Sequence, residues 1–313
     1  MKIWLLTWNL EYQKADTSKL DLAGKIATAG NDAPDLIITA QQEATGPFIE
    51  DVRLAGYDRL TAATIRGITK RESGHCHTHL GVMVKRGMTP TNITSYTYEG
   101  GYGKGKKSIG SKFIDLNLKG GAMAEFTFNE NRCPYKIGIC GAHLDAKGGA
   151  PREKQIDRTL ASLYLGRRIK KTLRAKTNEH NRAEAIAGQL MNRYDLVFYL
   201  GDLNYRIGKV TEPNGTEKRL SETDFGRILT RKNVSGIDLA RLQSFDLNTN
   251  SKLITSYGFT FPQYTTNNFP TYKINYENHD GRGGRLDEDD VQDSLNRLFA
   301  GRANTTDIND VYP

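Results

Sequence analysis

Short apolar segments that run directly into chemistry-bearing polar residues, with helical stretches between them, constrain this chain most. Lys2 to Trp8 stops at Asn9. Asp35 to Ala40 ends in Gln41-Gln42-Glu43. Leu80 to Val84 and Ala122 to Phe128 are further strand candidates. Lys136 to Ala142 runs into His143, and Leu196 to Leu200 runs into Gly201-Asp202. The spacing predicts helices over roughly 17–31, 152–175, 179–192, 221–231 and 235–245. Asn9, Glu43, His143, Asp202 and Asn204 therefore fall just past strand ends, where a rigid sheet can hold a converging site. Strands interleaved with helices fit one αβ domain better than two. No repeat and no low-complexity linker divides residues 1–313.

The bulk properties narrow the class. A length of 313 residues suffices for a substantial core. The net charge of +8 favours polyanionic partners: nucleic acid, anionic lipid surfaces or phosphorylated small molecules. No apolar run is long enough to span a membrane, and Met1-Lys2-Ile3-Trp4 does not open a secretory signal. The cysteines, Cys76, Cys133 and Cys140, show no paired spacing, so a reduced compartment is the default.

The most informative string is Gly201-Asp202-Leu203-Asn204-Tyr205-Arg206. In an extended segment, a carboxylate and an amide two residues apart point the same way. Asp202 would then orient an attacking water or take its proton, and Asn204 would donate to a phosphate oxygen. In isolation, Asp-x-Asn is commoner as a plain turn.

The full string resembles the signature Gly-Asp-Leu-Asn-Tyr-Arg of the inositol polyphosphate 5-phosphatases. Other segments resemble that family in the same order. They are Thr7-Trp8-Asn9, Gln42-Glu43, Lys119-Gly120-Gly121, His143-Leu144-x-Ala146, Gly258-Phe259 and Pro270-Thr271-Tyr272-Lys273. Leu118 stands where the family has Asn. The resemblance covers about residues 1–275.

It implies an α/β (α+β) fold: two packed β-sheets flanked by helices, a four-layer sandwich of the deoxyribonuclease-I-like type. It implies Mg²⁺ at Glu43 with Asn9 beside it, and catalysis by Asp202, His143 and Asn204. It also implies substrate contacts from Lys119, Tyr205, Arg206, Tyr272 and Lys273. The implied reaction is hydrolysis of a phosphomonoester, most readily the 5-phosphate, from soluble inositol polyphosphates or phosphoinositide lipids. The setting would be cytoplasmic and peripheral at anionic membrane surfaces, with no nucleic acid as partner. The physics agrees, since magnesium needs only one or two carboxylates and directed donors around a phosphate act strongly in a partly desolvated site.

The family's closing strings, Pro-x-Trp-x-Asp-Arg-Ile-Leu and Ser-Asp-His-x-Pro-Val, are absent, and Asn278-His279-Asp280 is no substitute. The expectation is a C-terminally incomplete domain lacking its final strands, with 276–313 a polar, acidic insertion or end. The alternatives are a weak or inactive phosphoinositide-binding module and a Mg²⁺-dependent nuclease of the same fold.

Three features stand outside this reading. On a strand, His75, His77 and His79 of His75-Cys76-His77-Thr78-His79 would share one side. No further zinc-type ligand is spaced to join them, so a polar strand is the simpler reading. Arg167, Arg168, Lys170, Lys171, Arg174 and Lys176 form a basic helical run. Tyr96 to Lys107 reads as a Gly-rich loop whose Tyr96, Tyr98 and Tyr102 sit among lysines, a composition suited to a lipid interface.

Overall fold

Period-two alternation and β-branched content favour strands over much of the first two hundred residues. A computed structural model describes residues 1–10, 21–46, 48–51, 53–68, 75–99, 119–130, 133–145, 149–167, 182–205, 210–211, 217–218 and 251–260. The chain divides into two units, Met1–Asn204 and Tyr205–Pro313.

In the first unit, β1 (Ile3–Asn9) runs parallel to β2 (Leu36–Ala44). β2 pairs antiparallel with β4 (His75–Lys85), and β4 with β3 (Tyr57–Ile68), giving the order β1-β2-β4-β3. The second sheet has the order β5-β6-β7-β8, from β5 (Thr91–Glu99), β6 (Gly120–Glu130), β7 (Cys133–His143) and β8 (Leu196–Asp202). Only its β7–β8 pair is parallel. Both sheets are therefore mixed, each with one parallel pair at an edge.

Alternation decides what faces what. Leu36, Ile38, Ala40, Leu80 and Val82 from the first sheet bury against Ala122, Ala124, Phe126, Ile137 and Ile139 from the second. Each large apolar side chain sealed there contributes about 1.5–3 kcal/mol. The opposite face of the first sheet packs Ile37, Met83 and Trp4 against Leu22 and Ile26 of α1 (Leu22–Ala29). Asp21 caps α1, accepting from Gly24 N at 3.1 Å. α2 (Gly149–Leu165) lies against β6 and β7 on the outside of the second sheet. The result is the helix–sheet–sheet–helix sandwich that the resemblance implied.

The α2 end is tied down by polar contacts. Arg193 Nη2 donates to both carboxylate oxygens of Glu125, each at 2.8 Å. Tyr194 OH lies within hydrogen-bonding reach of two acceptors, the Glu125 carboxylate and Leu163 O, the latter at 2.6 Å. After α2 come α3 (Ala183–Ala187) and a 3-10 turn, Leu190–Asn192.

Several expectations need correction. β3 and β5 are strands that the apolar pattern did not reveal, because neither alternates regularly nor carries a continuous apolar run. Tyr96 and Tyr98 belong to β5, not to a lipid-facing loop. Tyr98 is buried, and Tyr96 OH donates to Leu163 O at 3.0 Å. The helix expected over 179–192 is two shorter pieces around Gly188. The helix expected over 17–31 is described only at Leu22–Ala29. Tyr102, Lys104, Lys106 and Lys107, the basic run from Arg168 to Lys176, the helices at 221–231 and 235–245, and residues 261–313 lie outside the described residues.

The second unit contributes a two-stranded antiparallel pair, β9 (Val210–Thr211) with β10 (Glu217–Lys218), and α4 (Lys252–Thr255). Phe259 N, just past Gly258, donates to Leu253 O at 3.0 Å and closes that helix. No described helix is long and apolar enough to cross a membrane.

Candidate functional site

The two parallel pairs end at the same place. β1 and β2 run out at Asn9 and Glu43, and β7 and β8 at His143 and Asp202. His143 and Asp202 are register partners, and Leu144 N donates to Asp202 O at 2.9 Å. Asn9 reaches across from the first sheet, and its Nδ2 donates to Asp202 Oδ2 at 2.8 Å. Glu43 Oε1 lies 3.8 Å from His143 Nε2, and Asp202 Oδ2 lies 3.5 Å from the same nitrogen. Lys119, immediately before β6, contacts that nitrogen through its ammonium.

His143 is almost wholly buried, at 1% exposure, whereas Glu43 and Asp202 keep 18% and 26% of their side-chain surface. Burial, with the neighbouring Lys119 charge, lowers the His143 pKa to about 3 against the opposing pull of Asp202. The imidazole is therefore neutral near pH 7. Facing an ammonium, it accepts at Nε2 and carries its proton on Nδ1. His143 Nδ1 and Gln42 Nε2 are each buried with no hydrogen-bond partner among the described residues.

Asn204 corrects one expectation. The Asp202-x-Asn204 segment is not extended: Asn204 has φ 54. Its backbone N–H donates to Asp202 Oδ1 at 3.0 Å, and its Nδ2 donates to Leu144 O at 2.8 Å. The plain-turn chemistry of Asp and Asn is thus present, and it serves to fix Asp202. Tyr205 is half-buried and opens the second unit. Arg206, Tyr272, Lys273 and Ala146 lie outside the described residues.

Among the described residues, no group of three or more His, Cys, Asp or Glu side chains is disposed to hold a metal ion, as a zinc site would require. Magnesium binds through one or two carboxylates and keeps its waters. Glu43, a partly exposed carboxylate at these strand ends, fits that habit. The His75–His79 segment forms the start of β4, and His79 turns into a buried contact with Glu50.

No known family and no curated protein matches this sequence. Solved structures that resemble it include the inositol polyphosphate 5-phosphatase domain of SpSynaptojanin in complex with inositol (1,4)-bisphosphate and calcium ion. That likeness has 16% identity over 90% of this chain and 70% of that one, with a TM-score of 0.45. A Cimex nitrophorin is similar at 16% identity over 90% and 81%, TM-score 0.44. D. rerio TDP2, complexed with single-strand DNA product, follows at 12% over 66% and 61%, TM-score 0.32. Likenesses this loose carry no functional assignment.

Proposed function

We propose that this chain is a single Mg²⁺-dependent phosphatase domain that hydrolyses a phosphomonoester of an inositol phosphate or phosphoinositide, the 5-phosphate foremost. The observation that carries the reading is the gathering of Asn9, Glu43, Lys119, His143, Asp202 and Asn204 at one end of the sandwich. These residues come from widely separated motifs that share one family resemblance.

Magnesium held by Glu43 would polarise a phosphoryl oxygen and offset the charge that develops there. Asp202, held by Asn9 at Oδ2 and by the Asn204 N–H at Oδ1, orients the attacking water and takes its proton. Neutral His143 and charged Lys119 present a polar, water-poor wall to the phosphate. Arg206, Tyr272 and Lys273 would grip the neighbouring phosphates, Arg as a fork and Lys as a point charge.

The test is phosphate release from phosphatidylinositol 4,5-bisphosphate and from its soluble head group. Release with Mg²⁺ that EDTA or Asp202→Ala abolishes supports the reading. Absence of release from both substrates overturns it. Liposome binding without turnover, lost in Lys273→Ala, would instead identify a binding module, and Mg²⁺-dependent nicking of plasmid DNA a nuclease.

A further inference from the structure

The strand that delivers Glu43 is irregular. Gln41 pairs with His79 and Ala44 with His77, so Gln42 and Glu43 together oppose Thr78 alone. That is a β-bulge, and Glu43 adopts φ 53 within it. The alternation along β2 shows what the bulge does. Ile37 belongs to the α1-covered face and Ile38 and Ala40 to the inter-sheet face. Continued without interruption, alternation would return Glu43 to the α1 side. The bulge re-aims it, and its carboxylate ends 3.8 Å from His143 on the other sheet. A left-handed backbone at a non-glycine residue costs energy and persists only where its surroundings hold it.

Those surroundings contain a buried polar cluster that the proposed chemistry does not use. The Glu50 carboxylate and the His79 imidazole are in contact, with side-chain exposures of 0% and 1%. Glu50 Oε2 also accepts from Gln41 Nε2 at 3.4 Å and from Thr39 Oγ1 at 3.5 Å. Gln41 Oε1 accepts from Ile49 N at 3.3 Å. His79 Nδ1 pairs with Thr64 Oγ1 at 2.7 Å, and the Phe48 ring stacks on the imidazole with centroids 3.6 Å apart. The carboxylate occupies the space over Gly81, where a Cβ would overlap it. Replacing a buried polar or ionic pair with apolar side chains is often neutral or stabilising, so stability alone does not account for this one. Its geometry does: Gln41 and His79, the register pair at which β2 leaves regular pairing, are both bonded to Glu50.

We infer that the buried Glu50–His79 pair is a positioning device for Glu43, locking the register at Gln41 so that the bulge forms at Gln42–Glu43 and turns the carboxylate toward His143 and Asp202. This rests on the reading of Glu43 as a magnesium ligand. Glu50 and His79 touch no substrate and act through the backbone of β2.

The test uses the full chain, with Mn²⁺ as the metal probe and amide hydrogen exchange at residues 42–44 as a second readout. Glu50→Gln replaces the carboxylate at nearly constant volume, and Gly81→Ala displaces it without changing the chemistry of any cluster side chain. Ile139→Val, in the inter-sheet core, lowers stability without touching the cluster. His79→Gln retains an amide donor for Glu50 and serves as the rescue. Glu50→Gln and Gly81→Ala are expected to weaken Mn²⁺ binding by about 10-fold or more, the usual effect of losing an outer-shell partner. Exchange at 42–44 should accelerate in both, while Ile139→Val leaves both readouts unchanged and His79→Gln keeps most of the affinity. Wild-type Mn²⁺ affinity and unchanged exchange in both cluster variants would overturn the inference. Faster exchange at 42–44 in a protein whose wild type binds no Mn²⁺ would support the lock and sink the magnesium reading.

Discussion

His143 and Asp202 are register partners in the parallel β7–β8 ladder, with His143 Nε2 3.5 Å from Asp202 Oδ2. Gly201 permits that pairing. It has φ 129, and a Cβ there would overlap the carbonyl oxygen and amide nitrogen of Ala142. Gly201→Ala should therefore damage the fold and the site together. The backbone strain alone costs on the order of 1–3 kcal/mol, and the overlap adds to it. A lowered urea midpoint together with lost phosphate release is expected. An Ala variant with wild-type stability would show that the strand spacing is not held as described.

Asn9→Ala separates orientation from folding. Asn9 Nδ2 gives Asp202 a charge-assisted hydrogen bond from the opposite sheet. Such bonds are worth about 1.5–3 kcal/mol, so the proposed phosphate release should fall roughly 10- to 150-fold. The substitution lies in a partly exposed position, and the melting temperature should move little. A variant with unchanged turnover would remove Asn9 from the site.

The sequence made much of this site legible, for a physical reason. Asn9, His143 and Asp202 each close a strand rich in apolar residues, and a parallel pair brings both of its C-terminal ends to one place. Glu43 could be named but not aimed, because a bulge depends on partners such as Glu50 and His79, which are 29 positions apart. The left-handed turn at Asn204 is not legible in the sequence, because such a turn and a strand end share the same residues. β3 and β5 carry weak sequence signals because edge strands have one partner and tolerate polar side chains on both faces. The Lys119–His143 contact had no local signal at all, being made across the β6–β7 ladder.

Thiol chemistry tests the outer face of the second sheet. Cys140 is buried under α2, and burial raises its pKa to about 12 despite hydrogen bonds with Thr159 and Tyr199. Cys133 is exposed at the start of β7. In native protein at pH 8, an alkylating reagent followed by peptide mapping should label Cys133 and spare Cys140. Both should label in denaturant. Rapid native labelling of Cys140 would mean that α2 does not cover it.

The buried imidazole contributes to the acid side of the stability curve in metal-free protein. In the folded chain His143 titrates at about 3, against an ordinary value of 6.5. Above pH 6.5 it is neutral in both folded and unfolded states and adds no pH dependence. Below 6.5 the unfolded chain binds a proton that the folded chain refuses, so stability declines as the pH falls toward 3. The decline from this one group approaches about 1.4 kcal/mol per pH unit within that window. Carboxylates contribute in part of the same range, so the comparison is between wild type and His143→Gln, each unfolded by urea in EDTA from pH 7 to 4. The wild type should lose stability more steeply, by up to one proton's worth of slope. Parallel curves would mean that His143 takes up its proton in the folded state, and that the wall beside Asp202 is wetter than its burial implies.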